Sequence, residues 1–169
     1  LNVLRTAPPA IELFRSRPGD IATLKSNAIK ALHEDPEGRI WVGTDGGGFH
    51  LFDGGSGTFE RFNRTNTSLR SDAVLSLFTD REGYLWVGSW AGGLGRFDTE
   101  TKEFVAFFDQ DDGLPAANIF GITQDSAGMI WALDFAGGLV RINPEDRSVR
   151  VWGSDKSGLA DNFNVALAM

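Results

Sequence analysis

The sequence predicts an all-β fold: a partial β-propeller with three complete four-stranded antiparallel blades plus flanking strands of two incomplete blades. Three observations carry this expectation. A pattern beginning EDPEGRIWVG at Glu34 returns as TDREGYLWVG at Thr79 and as QDSAGMIWAL at Gln124. Its tryptophans, Trp41, Trp86 and Trp131, recur every 45 residues, as do Gly38, Gly83 and Gly128, and Gly47, Gly92 and Gly137. Self-similarity at such a period marks a repeat architecture. Within each copy, apolar runs of four to six residues alternate with tight Gly, Asp and Pro turns, the spacing of a meander. No 3.6-residue periodicity runs through the chain, which excludes a helix-pair solenoid. Four antiparallel strands with two apolar faces are not stable alone, and stacking such units around an axis covers both faces. A flat sandwich is the alternative, but it does not explain why every repeat has the same turns.

In chain order, residues 1–10 hold Pro8-Pro9 and no periodicity, and read as a linker. Ile11–Phe14 matches the segment that closes each later repeat, so residues 1–23 are expected to hold a linker and the outer strand of a preceding blade. Blade 1 covers 24–68, with strands at Ala28–His33, Arg39–Gly43, Phe49–Phe52 and Thr58–Phe62. A turn at Asp35-Pro36-Glu37-Gly38 joins the first two, Pro presetting φ and Gly accepting positive φ. Blade 2 covers 69–113, with strands at Val74–Phe78, Leu85–Gly88, Leu94–Phe97 and Phe104–Phe107. Blade 3 covers 114–158, with strands at Ile119–Thr123, Ile130–Leu133, Leu139–Ile142 and Val149–Trp152. Residues 159–169 align with the opening of another repeat and are expected to form the inner strand of a following blade.

The first strand of each repeat is nearly continuous in apolar residues, which implies cover on both faces. Its small central residue (Ala31, Ser76, Gly121) suits a strand crowded near an axis. Three blades fall short of the four to eight that usually close a ring, leaving apolar faces and open edges. The chain is therefore expected either to be unstable alone or to self-associate to complete a ring, and to pack against other blades and domains of a parent chain.

Composition excludes several functions. Of 169 residues, 41% are hydrophobic and 23% charged, a globular balance. The net charge of −7, with no run of Lys or Arg, argues against nucleic acid and against anionic membrane surfaces. There is no cysteine, hence no disulfide framework or thiolate chemistry. No apolar stretch is long enough to cross a bilayer. The chain opens at Leu1 without a signal peptide and reads as a piece of something longer.

The repeated D-x-x-G-x-[IL]-W-[VA]-G…GG-[LF]…F-D pattern, from Leu24 to Met169, resembles the two-component regulator propeller repeats. These occur in the periplasmic sensor regions of bacterial hybrid histidine kinases and of some membrane-bound diguanylate cyclases. The third copy departs at Leu133, where the others have Gly43 and Gly88, and at Asn143, where they have Asp53 and Asp98. Those departures are read as differences in local turn geometry. The resemblance implies a propeller, typically paired in tandem and followed by a β-sandwich, a membrane helix and a kinase. It also implies a periplasmic location, a parent anchored in the inner membrane, and a part in sensing oligosaccharides or other external signals.

Chemical motifs are few. The Asp35/Gly38, Asp80/Gly83 and Asp125/Gly128 pairs are spaced by two residues rather than the one of the sialidase Asp-box, and read as hairpin turns. Gly46-Gly47-Gly48 lacks the GK[ST] and helix of a phosphate loop and reads as a bend that tolerates no side chain. Asp109-Gln110-Asp111-Asp112-Gly113 lacks the closing Glu of a calcium loop. His33 and His50 fall at unrelated repeat positions, so no metal site is expected, nor any cofactor. The Asn63 and Asn66 sequons are accidental loop composition in a bacterial chain. No catalytic constellation can be assembled.

The repeats disagree informatively just after the second strand. Positions 44, 89 and 134 are Thr, Ser and Asp, and positions 45, 90 and 135 are Asp, Trp and Phe. Loop positions freed from the repeat consensus are where ligand contacts are placed. Trp90 and Phe135 would stack on a sugar ring, and Asp45 and Asp134 would accept its hydroxyl hydrogen bonds. The competing reading packs both aromatics between blades. Arg64, Asp109 and Asp111, on loops joining one blade to the next, are second-rank candidates. The expected partner is a small-molecule or oligosaccharide ligand, with a non-catalytic protein-binding or dimerising scaffold as the alternative.

Overall fold

A computed structural model describes residues 11–153. Twelve strands form three sheets, each a meander in which neighbours in sequence pair antiparallel. Blade 1 contains β1 (Ile29–Glu34), β2 (Ile40–Thr44), β3 (Gly48–Asp53) and β4 (Thr58–Phe62). Blade 2 contains β5 (Val74–Thr79), β6 (Leu85–Ser89), β7 (Gly93–Asp98) and β8 (Glu103–Phe108). Blade 3 contains β9 (Ile119–Gln124), β10 (Ile130–Asp134), β11 (Gly138–Ile142) and β12 (Val149–Trp152). The first strands neighbour each other, β1 against β5 and β5 against β9, as inner strands around an axis do. This is a partial β-propeller.

One staple, made three times, sets the inner half of each blade. Asp35 Oδ1 accepts the backbone N–H of Glu37 and Arg39, and its Oδ2 accepts the indole N–H of Trp41 at 2.8 Å. Asp80 treats Glu82, Tyr84 and Trp86 alike, with the indole at 2.7 Å, and Asp125 does so with Ala127, Met129 and Trp131, also at 2.7 Å. The carboxylate thus holds the turn with one oxygen and anchors the tryptophan of the next strand with the other, Trp41 and Trp86 being fully buried and Trp131 partly so. Gly83 closes its turn at a φ of 89°, a conformation that glycine adopts without steric cost. Burial opposes ionisation of Asp35, but its bonds from Trp41 and Arg39 hold the carboxyl below the usual range. At Asp125 the Trp131 bond leads the same downward shift.

The core lies between blades. Trp41, Phe49 and Phe62 of blade 1 pack with Val74, Leu85, Val87 and Phe97 of blade 2. Trp86, Leu94 and Phe108 of blade 2 pack with Ile119, Ile130, Ala132 and Ile142 of blade 3. The inner strands are also tied directly: Ser76 Oγ donates to the Ile119 carbonyl at 2.9 Å, and His33 Nε2 lies 2.8 Å from Thr79 Oγ1.

Three expectations need correction, and two others lie outside the described residues. Ile11–Phe14 is irregular and joins no sheet; Phe14 instead packs edge-on against Phe52 and Phe59, because no neighbouring strand among the described residues offers it a ladder. Both faces of the first strand are covered in β5 and β9 but not in β1, where Leu32 is 72% exposed, since no blade precedes β1 among those residues. Leu133 lies within β10, so it alters strand packing rather than a turn. The linker at residues 1–10 and the inner strand at 159–169 lie outside the described residues.

Candidate functional site

The first strand of every blade carries a β-bulge near its start. The register shifts between Ile29 and Ala31, between Val74 and Ser76, and opposite Leu133 and Asp134. The extra residue is Lys30, Leu75 or Phe120. A bulge frees one residue from the ladder and re-aims its side chain. At the same end of each blade, the residue after the second strand donates its N–H to the loop before the first: Asp45 to Ala28, Trp90 to Ala73, Phe135 to Asn118. Each blade thus presents a matched pair at one end of the axis: Lys30 with Asp45, Leu75 with Trp90, Phe120 with Phe135.

The three pairs differ in chemistry. Lys30 Nζ and Asp45 Oδ2 are 3.9 Å apart, both side chains about half exposed. Trp90, 45% exposed, meets Phe120 edge-on at 6.0 Å and Phe135 at 5.9 Å, and the two phenyl rings lie 5.3 Å apart. Lys30, Asp45, Ala73, Leu75, Trp90 and Phe120 line an open hollow of ≈ 340 Å³. The hollow has one aromatic wall and one charged end. Trp90 bridges blades 2 and 3 through Phe120 and Phe135, and it remains 45% exposed.

Asp134 is a correction. Its carboxylate is wholly buried and accepts three backbone N–H groups, those of Ala116, Ala117 and Asn118, at 2.9–3.0 Å. It fixes the loop beside Phe135 and has nothing to offer a ligand. Its counterparts are also held inside, but within their own hairpins, Thr44 Oγ1 donating to the Gly48 carbonyl and Ser89 Oγ to that of Gly93. Gly92 is glycine because a Cβ there would sit 2.5 Å from Ser89 Oγ.

The remaining candidates are elsewhere. Asp109 and Asp111 line a separate hollow of ≈ 300 Å³ with Arg70, Ala91, Gly92, Gln110 and Ala117. Asp109 Oδ1 accepts the Asp111 N–H, which leads the lowering of its pKa, while Oδ2 is ion-paired with Arg70; Asp112 is paired with Arg147. The Asp109 and Asp112 carboxylates are thus satisfied internally, while Asp111 is exposed and is held through its backbone N–H. Arg64 is exposed, lines neither hollow, and is held only through its backbone N–H to Asp72. Hollows of ≈ 330 and ≈ 410 Å³ at the opposite end lie among Arg39 and Arg96, which are already paired with Asp35 and Asp80. Among the described residues no cluster of three or more His, Cys, Asp or Glu would hold a metal. Both histidines are structural: His50 is buried with Nε2 accepting the Lys25 N–H at 3.1 Å, and burial lowers its pKa to about 4.

Sequence reasoning missed Lys30, Leu75 and Phe120. The available signal was that position 30/75/120 varies between Lys, Leu and Phe while its neighbours 29/74/119 and 32/77/122 stay aliphatic.

The model of the two-component regulator propeller family matches residues 23–46 and 68–91, the segments that carry the first two Asp–Trp staples. Residues 23–46 and 68–91 are two-component regulator propeller repeats. An extracellular domain assigned to a hybrid two-component system of B. thetaiotaomicron is 24% identical with a TM-score of 0.71, the match covering 88% of this chain and 19% of that one. Another, from the same organism and also assigned to a hybrid two-component system, is 26% identical with a TM-score of 0.72, covering 84% and 21%. The propeller repeats here thus span about a fifth of either domain. Virginiamycin B lyase from Staphylococcus aureus shares the fold at 16% identity and a TM-score of 0.60, over 78% of this chain and 43% of that one. A comparison with curated proteins returns no match. The two matched domains of hybrid two-component systems are extracellular.

Proposed function

We propose that this chain is part of an extracytoplasmic, periplasmic sensor propeller that binds a small ligand, a glycan, at the Trp90 hollow. Occupancy would pass to neighbouring domains through the packing of the inner strands. The observation that carries the reading is the half-exposed indole of Trp90, held by Phe120 and Phe135 beside a charge pair. A flat apolar face with a donor and an acceptor at one end suits a pyranose, which has an apolar C–H face and a hydroxyl rim. Among the described residues no metal-ligating cluster lies at the hollow, and its only ionisable groups are Lys30 and Asp45, facing each other as an ion pair, which suits binding. Calorimetry against a glycan panel tests this. Trp90→Ala is expected to weaken binding at least tenfold, by more than about 1.4 kcal/mol, while leaving the melting temperature unchanged. A fall in stability without a change in affinity would make Trp90 a core residue. The second reading, a scaffold that binds protein or a second copy, is favoured by the exposed Ile29 and Leu32 of β1.

A further inference from the structure

We infer that the hollow selects a neutral saccharide and rejects uronates and sulfated sugars. This rests on the ligand-binding reading above and names the class of ligand within it. The three bulge pairs give the site a direction. Blades 2 and 3 supply Leu75, Trp90 and Phe120, an apolar wall without a charge that Phe135 backs through its contacts with Trp90 and Phe120. Blade 1 supplies its only ionic groups, the Lys30 ammonium and the Asp45 carboxylate, one of each sign.

The pair is loose. Its 3.9 Å separation is the outer limit of an ion pair, and side-chain exposures of 45% and 51% leave both ends hydrated. An exposed pair of this kind contributes at most about 1 kcal/mol. It therefore opens at small cost, and the two groups offer donors and acceptors together. Vicinal hydroxyls satisfy both at once, one oxygen accepting from Lys30 Nζ while the neighbouring hydroxyl donates to Asp45. The ring's C–H face then lies on Trp90. A carboxylate or sulfate at the same place would gain Lys30 but would bring a second anion beside Asp45, with no further cation lining the hollow to offset it. The net charge of −7 adds a weak long-range repulsion of the same sign.

The experiment is calorimetric titration of the chain with neutral gluco-, manno- and galacto-configured di- and trisaccharides, and with glucuronate and galacturonate oligomers of the same lengths. The expected result is Trp90-dependent binding of a neutral sugar and at least tenfold weaker binding of its uronate counterpart. Asp45→Asn keeps an acceptor and removes the anion, so it should bring uronate binding up to within a few-fold of neutral binding. Lys30→Met should weaken neutral binding several-fold. Uronates binding wild-type protein as well as neutral sugars, in a Trp90-dependent way, would overturn this inference and leave the ligand-binding reading intact. Failure of every sugar to bind would overturn that reading itself. Retained neutral binding in Asp45→Asn with no gain for uronates would also overturn the inference, because Asp45 would then not be the selecting charge.

Discussion

At the scale of single residues, the Asp of each staple carries more than its turn. Asp80 receives two backbone N–H groups, the Trp86 indole and the Arg96 guanidinium while fully buried. Asp80→Ala leaves those donors without partners, and is expected to cost about 3–5 kcal/mol in urea denaturation. His50 makes a second prediction. Its pKa is near 4 in the fold against 6.5 unfolded, so the unfolded chain binds the extra proton between those values. Stability is then full above pH 6.5 and falls as the pH drops towards 4, by about 3 kcal/mol for this group. The lowered carboxyls of Asp35 and Asp125 lose their contribution at lower pH still. In denaturation curves taken from pH 7 to 4, His50→Phe should flatten the upper part of this fall. An unchanged slope would assign the loss to other groups.

At the scale of strands, the contact between inner strands depends on a missing side chain. A Cβ on Gly88 would lie 2.2 Å from Ser76 Oγ and 2.7 Å from Ile119 Cγ2, and one on Gly43 would meet Val74 Cγ1 at 3.0 Å. Glycine in β2 and β6 lets the next blade's first strand close in. Blade 3 redistributes the volume: Leu133 pairs with Gly121, where the others pair Gly43 with Ala31 and Gly88 with Ser76. The leucine side chain lies over the glycine, 3.3 Å from where its Cβ would be. Gly88→Ala should therefore lower stability by about 2–4 kcal/mol through overpacking between blades 2 and 3. Calorimetry showing no change would mean that the two blades separate readily. The turns and strand limits were legible because Asp-x-x-Gly and the GG bend act locally. The bulges were not, because a bulge is defined by pairing with a partner strand.

At the scale of the whole molecule, the faces between blades are closed and the first face of blade 1 is not. Val74 and Ile119 are fully buried at the position where Ile29 is 40% exposed, and Leu32 adds a second exposed aliphatic side chain. Apolar surface beside an open strand favours association. We expect concentration-dependent self-association in light scattering, weakened by Leu32→Glu without loss of fold. A strictly monomeric species at high concentration would contradict it. Of the candidate site, Asp45, Trp90 and Phe135 were readable because they interrupt a repeat at a loop. Asp134 misled because its position varies for a structural reason: Thr44 and Ser89 tie their own hairpins, whereas Asp134 ties the loop before β9.

The sequence by itself determined the number of blades, their strand order and the Asp-x-x-Gly turn between the first two strands of each, where the staple sits. Those features repeat and act over six residues or fewer, as Asp35 with Trp41 shows. The tertiary structure decided what stands side by side at the mouth. Lys30, Trp90 and Phe120 are far apart in the chain and belong to three blades, and only bulged strands packed around an axis bring their side chains to one hollow.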